Sequence, residues 1–315
     1  MGGNPMAFIL DDINSRAKKD PAAFIRECDA EYDAKIRRAA DLIEKHREQC
    51  PIVLMSGPSG SGKTTTSKKI EEELLLRGIT TYALSMDNYF RTVDDTSPKM
   101  ADGSYDPESP KCVDMGLLTE HFHRLAQGEA IDVPKFNFTK QRRADEHSAT
   151  IRLGNNDIVV VEGIHALNDE LTTANPEALK LYISARTNVI NDGEYCFKAT
   201  WMRLVRRVVR DNLFRGATPD YTLSIWANIR RGEKSYISPF KEKADFKFDS
   251  SFPYEICVLK SAAQKLFANI PEGIERYQEL CSIGPALEKF EDIDPKFLLP
   301  DSLLTEFLGG GKYKY

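Results

Sequence analysis

Residues 51–69 read PIVLMSGPSGSGKTTTSKK. Ile52, Val53, Leu54 and Met55 are a short apolar run, which predicts a buried strand. Gly57-Pro58-Ser59-Gly60-Ser61-Gly62-Lys63-Thr64 then fits G-x-x-x-x-G-K-[ST] at every fixed position. Glycines let the backbone curl until several N–H groups face one anion, and a side chain there would block the phosphate. Lys63 is placed to reach the β- and γ-phosphates, and the Thr64 hydroxyl to ligate Mg²⁺. The helix that begins here points its positive end at the same phosphates. Gly57 through Thr65 is therefore read as the ATP-phosphate site; the alternative is a Gly-rich turn between strand and helix.

The bulk numbers limit the remaining choices. A chain of 315 residues, 41% hydrophobic, holds one large α/β domain with additions or two small domains. A net charge of −5 argues against a general nucleic-acid binder. Six cysteines (Cys28, Cys50, Cys112, Cys196, Cys257, Cys281) are scattered without a C-x-x-C pair, which favours free thiols in a reducing compartment over disulfides or zinc. No apolar run has the length of a membrane span, and the N-terminus lacks a signal-peptide layout. A soluble cytoplasmic protein is expected, with no membrane and no nucleic-acid partner.

Downstream of the loop, a helix is predicted from Lys63 to Arg77, stopped by Gly78. TTYALSM (80–86) is a second strand that delivers Asp87-Asn88-Tyr89-Phe90 to its C-terminal end. In open α/β sheets ligands lie outside the carboxyl ends of the strands, so Asp87 shares an edge with Lys63. There it can take a hydroxyl proton or organise Mg²⁺; the alternative is a turn aspartate. Residues 91–114 read as a long functional loop containing SYDPESP. A helix follows over Met115–Leu125, with His121 and His123 on different sides and so no metal pair. DVPKFNFTKQRR (132–143) alternates like an edge strand or hairpin, and DIVVVE (157–162) is a buried parallel strand ending in an acid. A carboxylate at that place commonly serves Mg²⁺ directly or through water. LKLYIS (179–184) is a further strand, ADFKFD (244–249) a last one, and Glu255–Ala268 a helix.

Upstream, Asp20-Pro21 is a helix start. Phe24, Cys28, Tyr32, Ile36, Ala39, Leu42 and Ile43 make one apolar stripe, read as a helix packed on the core, or alternatively as a dimer or partner helix that would make a homo-oligomer. TWMRLVRRVVRD (200–211) is a helix with Arg203, Arg206, Arg207 and Arg210 on one face, followed by Arg215-Gly216. Four arginines without interspersed acids suggest a lid that grips anionic oxygens. The tail holds a short helix over Leu303–Leu308 and a terminal GGGKYKY expected to fray.

These features resemble the uridine kinase/phosphoribulokinase family of P-loop kinases. The shared stretches are GPSGSGKT, MDNYF, YDPESP, EGIH and RRVVRDNLFRG, within residues 48–308. The segments VEGIHALN, RRGEKSYISPFKEKADFKFDSSFPYE and LLTEFLGG look closest to the kinase half of bacterial uridine-kinase-like proteins that often carry a threonyl-tRNA-synthetase-like module in front. The resemblance implies a three-layer P-loop NTPase fold with a mainly parallel central sheet: a helical extension over 1–50, a kinase domain over 51–308 with a lid about 200–243, and a flexible tail over 309–315. It implies ATP and Mg²⁺ as cofactors, with Thr64 and Glu162 at the metal. Asp87 looks like the catalytic base, beside Lys63. Asp106 resembles the ribose-binding aspartate, with Tyr89, Tyr105, Phe136, Gln141, Arg143 and Arg207 around the acceptor. Arg210 and Arg215 join the lid over ATP.

The departures are specific. Phe136 and Gln141 stand where uridine–cytidine kinases typically have a tyrosine and a histidine around the base, Ala217 stands for a lid arginine, and Ile225 for a lid glutamine. Lost polar partners remove the hydrogen bonds that discriminate a base. Phosphoryl transfer to a small hydroxyl acceptor is expected, with a nucleoside leading. A sugar or sugar phosphate is the alternative, which Arg203, Arg230 and Arg231 would suit. A non-catalytic ATP-binding regulator is the rival; a GTPase is disfavoured because no N-K-x-D motif occurs.

Overall fold

The computed structural model describes residues 7–268, 270–274 and 277–314. Gly2, Gly3 and the terminal Tyr315 of the GGGKYKY tail lie outside the described residues. In chain order, β1 (Phe8–Ile9) runs into α1 (Leu10–Lys19). Asp20 caps α2 (Pro21–His46), its side chain accepting the Ala23 N–H at 2.9 Å, as an Asp-Pro start predicts. β2 (Ile52–Ser56) leads through the phosphate loop into α3 (Lys63–Leu76), and β3 (Thr80–Ser85) ends in a 3₁₀ turn at Met86–Tyr89. After the long loop come α4 (Met115–Ala126), β4 (Ile131–Val133), β5 (Phe136–Asn137), β6 (Arg142–Arg143) and β7 (Ala149–Ile151). These strands form two small antiparallel ladders, β4 with β7 and β5 with β6, the expected hairpin. Then follow β8 (Asp157–Glu162), α5 (Asp169–Ala174), β9 (Leu179–Ser184), β10 (Val189–Asn191) and β11 (Glu194–Phe197). The chain closes with α6 (Ala199–Phe214), α7 (Pro219–Gly232), β12 (Phe246–Asp249), α8 (Glu255–Phe267), α9 (Tyr277–Glu288) and α10 (Thr305–Leu308).

The central sheet has the order β12-β9-β2-β8-β3 and is parallel throughout. β2 lies in its middle with all five residues buried. Its side chains alternate between two cores, because successive residues of a strand point to opposite faces. Val53 and Met55 join Ile36 and Ile43 of α2, Ile70 of α3, Leu204 of α6 and Leu259 of α8. Ile52 and Leu54 join Leu118 and Phe122 of α4 and Leu171 of α5. Helices on both faces of one sheet make the three-layer α/β arrangement that the sequence predicts. The parallel strands bring the residues after Ser56, Ser85 and Glu162 to one edge.

The apolar stripe of α2 is spent on this core: Phe24, Cys28, Tyr32, Ile36, Ala39 and Ile43 are buried in it, and the Tyr32 hydroxyl shares a 2.7 Å hydrogen bond with Thr66 of α3. Helix α6 differs from the expected lid. Its Leu204, Val205, Val208 and Val209 are wholly buried, and so is Arg206 on the opposite side. The tail also departs from the fraying expectation: the Lys312 N–H donates to Pro300 O at 2.7 Å, and Lys312 and Tyr313 both reach Glu72. The β1-β10-β11 sheet and helices α7 and α9 carried no clear sequence signal. Strands of two to four residues are too short to show a period.

Candidate active site

The phosphate loop is fixed from below before any ligand arrives. Gly62 is the N-cap of α3 at φ 79°, a left-handed conformation that glycine takes without strain. A Cβ on Gly57 would collide with the Ile183 carbonyl of β9, so the loop lies directly on the sheet edge. The Ser250 hydroxyl donates to Ser61 O at 2.5 Å. Arg206 donates to Gly60 O at 3.3 Å, to Ser250 O at 2.8 Å and, through Nε, to Glu255 at 2.6 Å. Arg203 grips Glu233 with both terminal nitrogens, at 2.5 and 3.0 Å, and donates to Ser59 O at 3.0 Å. Arg203 and Arg206 are thus buried ties of the loop to buried carboxylates. This corrects the reading that all four arginines of the helix grip phosphate. A buried guanidinium needs a carboxylate, and Glu233 and Glu255 supply it from far along the chain.

Within a cleft of about 200 Å³, Lys63, Thr64, Asp87, Glu162, Arg210 and Arg215 come together around the loop. Lys63 Nζ rests on Pro58 O at 3.2 Å. Burial pulls its pKa down, while Glu162, Glu306 and Asp87 hold it up. The Thr64 hydroxyl donates to Glu162 at 3.1 Å. Burial raises the Glu162 carboxyl, opposed by Lys63 and that hydrogen bond. A hydroxyl beside a carboxylate is a hard-oxygen pair suited to Mg²⁺, which keeps several waters and takes few protein ligands. Among the described residues no group of three His, Cys, Asp or Glu side chains is placed to hold a metal by itself. Desolvation in the cleft pushes the Asp87 carboxyl upward, and Lys63 and then Arg215 draw it back. Asp211, buried and not singled out from sequence, holds Arg207 at 3.1 Å, Arg210 at 2.7 Å and Arg215 at 3.6 Å. Arg207 also donates to the Ser59 hydroxyl at 2.5 Å.

A larger cavity of about 830 Å³ is lined by Arg91, Lys99, Tyr105, Asp106, Lys111 and Arg143, among others. Asp106 is 4% exposed, receives Arg231 at 2.7 Å and lies 3.4 Å from the Tyr236 hydroxyl. Tyr105 donates to Cys112 Sγ at 3.3 Å, and Arg143 donates to the carbonyls of Tyr89 and Phe90 and pairs with Asp114 at 3.1 Å. Three residues expected around the acceptor do not line this cavity. Tyr89 is fully buried, its hydroxyl 2.8 Å from His121 Nδ1. Phe136 is packed among Phe90 and Phe138. Gln141 sits at the hairpin turn with φ 49°, its carbonyl taking the Val93 N–H at 3.0 Å. The surplus arginines are likewise engaged, Arg203 and Arg230 by Glu233 and Arg231 by Asp106. These pairs span 30 to 125 residues, except Arg230–Glu233 at i, i+3, which was open to sequence reading.

The family model described as "Phosphoribulokinase / Uridine kinase family" matches residues 52–254. Over 195 residues the chain is 30% identical to the uridine kinase of Deinococcus deserti, covering 62% of this chain and 84% of that protein. Over 198 residues it is 32% identical to the uridine kinase of Borrelia duttonii, with the same coverage. Among solved structures it is similar to the YGR205w protein, at 16% identity and a TM-score of 0.46, over 68% of this chain and 94% of that one. No helix among the described residues is long and apolar enough to cross a membrane.

Proposed function

The chain belongs to the phosphoribulokinase / uridine kinase family, and on that premise we propose that it transfers the γ-phosphate of ATP to a hydroxyl of a small acceptor, a nucleoside of the uridine or cytidine kind. The observation that carries the reading is the single cleft shared by Lys63, Thr64, Glu162 and Asp87. The acceptor oxygen attacks the γ-phosphorus, the bond to the ADP oxygen breaks, and the hydroxyl proton goes to Asp87. A carboxyl raised by desolvation yet held near cations suits a base that must take a proton and give it up again. Lys63 and Arg210 line the same cleft and would stabilise the charge that spreads over the transferring phosphoryl. Thr64 and Glu162 would hold Mg²⁺, which neutralises phosphate charge when bound. The catalytic unit would span 51–308, with 1–50 bracing α3.

A second reading, an acceptor that itself carries an anionic group such as a sugar phosphate, is favoured by one observation. Arg91, Lys99, Lys111 and Arg143 all line the larger cavity; Arg91 and Arg143 are paired to Asp114, and Lys99 and Lys111 have no ion pair among the described residues. ADP release measured with ATP-Mg²⁺ against nucleosides, pentoses and sugar phosphates tests both. Turnover on uridine or cytidine supports the first reading, and turnover on phosphorylated sugars alone supports the second. No acceptor-dependent turnover with ATP still bound would favour a regulatory ATP binder.

A further inference from the structure

One carboxylate in the nucleotide cleft has no part in the mechanism above. Glu306, on the four-residue helix α10, is 6% exposed and lines the cleft beside the loop. Its Oε2 accepts the Thr65 hydroxyl at 2.5 Å and the Thr65 backbone N–H at 3.3 Å. Thr65 lies in the first turn of α3, whose leading N–H groups have no partner inside the helix and are the donors a phosphate would use. An internal anion therefore holds one of the places that the nucleotide's phosphates need.

The segment carrying Glu306 is firmly seated. Leu303, Leu304 and Phe307 are fully buried, and Leu303 packs over Gly62 at the loop's N-cap position. Asp301 and Asp33 each hold Lys69 at 2.8 Å. Beyond α10, Lys312 reaches Glu72 at 2.7 Å. Such a segment keeps its place while one side chain turns. Glu306 shares the cleft with the acids Asp87 and Glu162 and with the cations Lys63, Arg210 and Arg215.

We propose that Glu306 is an affinity-setting residue that competes with the nucleotide's phosphates for the N-terminus of α3, and that its side chain swings aside when they bind. This rests on the reading of the loop as a nucleotide site. It predicts weakened binding of phosphate-bearing ligands relative to a loop without the carboxylate, and no effect on a ligand without phosphates. A structural role, in which Glu306 merely braces Thr65, predicts the reverse.

The test is calorimetric titration of the full chain and of Glu306→Gln with ADP, inorganic pyrophosphate and adenosine. Melting curves accompany it, and Glu306→Ala serves as a second variant in case the first is poorly folded. The expected result is ADP and pyrophosphate binding about tenfold tighter in both variants, with adenosine unchanged. Equal or weaker ADP binding in folded variants overturns the inference and leaves the kinase reading standing. Absence of ADP and pyrophosphate binding in every form overturns both.

Discussion

The two ends of the proposed active-site region are built in opposite ways. At the phosphate end, function rests on backbone geometry over consecutive residues, Gly57 to Thr65, clamped to the sheet by buried ion pairs. At the acceptor end, candidate residues from distant stretches satisfy one another: Asp106 with Arg231, Tyr89 with His121, and Arg143 with Asp114. The first design is legible from a motif and tolerates few ligands. The second depends on which pairs form in space, and a change in either partner retunes the pocket.

Cations of one charge should behave differently according to the end they serve. Arg206→Met removes the partner of the wholly buried Glu255 carboxyl, so it should cost about 3–5 kcal/mol of stability. A thermal melt checks this, and a melting temperature near the parent's would break the claim that the pair is structural. Lys63→Ala should leave the melt nearly unchanged and lower kcat by about 10²–10³, as loss of one preorganised charge-stabilising group does. Steady-state kinetics read it, and a fall in melting temperature matching that of Arg206→Met would erase the distinction.

A smaller effect should come from His165, which is 1% exposed at the junction between the two ends, its ring 6.3 Å from that of Tyr236. Burial lowers its pKa from 6.5 to about 4. The unfolded chain therefore binds a proton there that the folded chain refuses. Its contribution is fully present above pH 6.5 and is lost as pH falls toward 4, by about 3 kcal/mol. Chemical denaturation at pH 7 and pH 4.5 should show a steeper loss for the parent than for His165→Asn; parallel losses would contradict it. The smallest change concerns Arg231→Ala. With its fixing partner gone, Asp106 should raise the acceptor KM about tenfold, worth ~1.4 kcal/mol, and leave the ATP KM within about twofold. Equal shifts in both constants would blur the boundary between the two ends.

The legibility of the chain follows the same division. The loop, Asp87 and Glu162 were readable because each closes a strand of a parallel sheet, and sheet topology carries strand ends to one edge. The apolar stripe of α2 was readable from its spacing. Glu306 was not, since its partner Thr65 lies 241 residues away and nothing in LLTEFLGG marks one acid for the cleft. Nor were Glu233, Glu255 and Asp211, although a helix with four arginines and several buried aliphatics is a signal that distant acids must exist. Tyr89 and Phe136 lie outside the lining of the larger cavity because a motif states sequence position, while side-chain direction is decided by packing against His121, Phe90 and Phe138.

The central claim is that Asp87 removes the acceptor proton in a cleft where ATP is held independently by the loop. The most direct measurement pairs ADP release and ATP binding in the parent and Asp87→Asn, with whichever acceptor proves active. Loss of about 10²–10⁴ in kcat with ATP affinity unchanged is the predicted result. Turnover preserved in Asp87→Asn would contradict it.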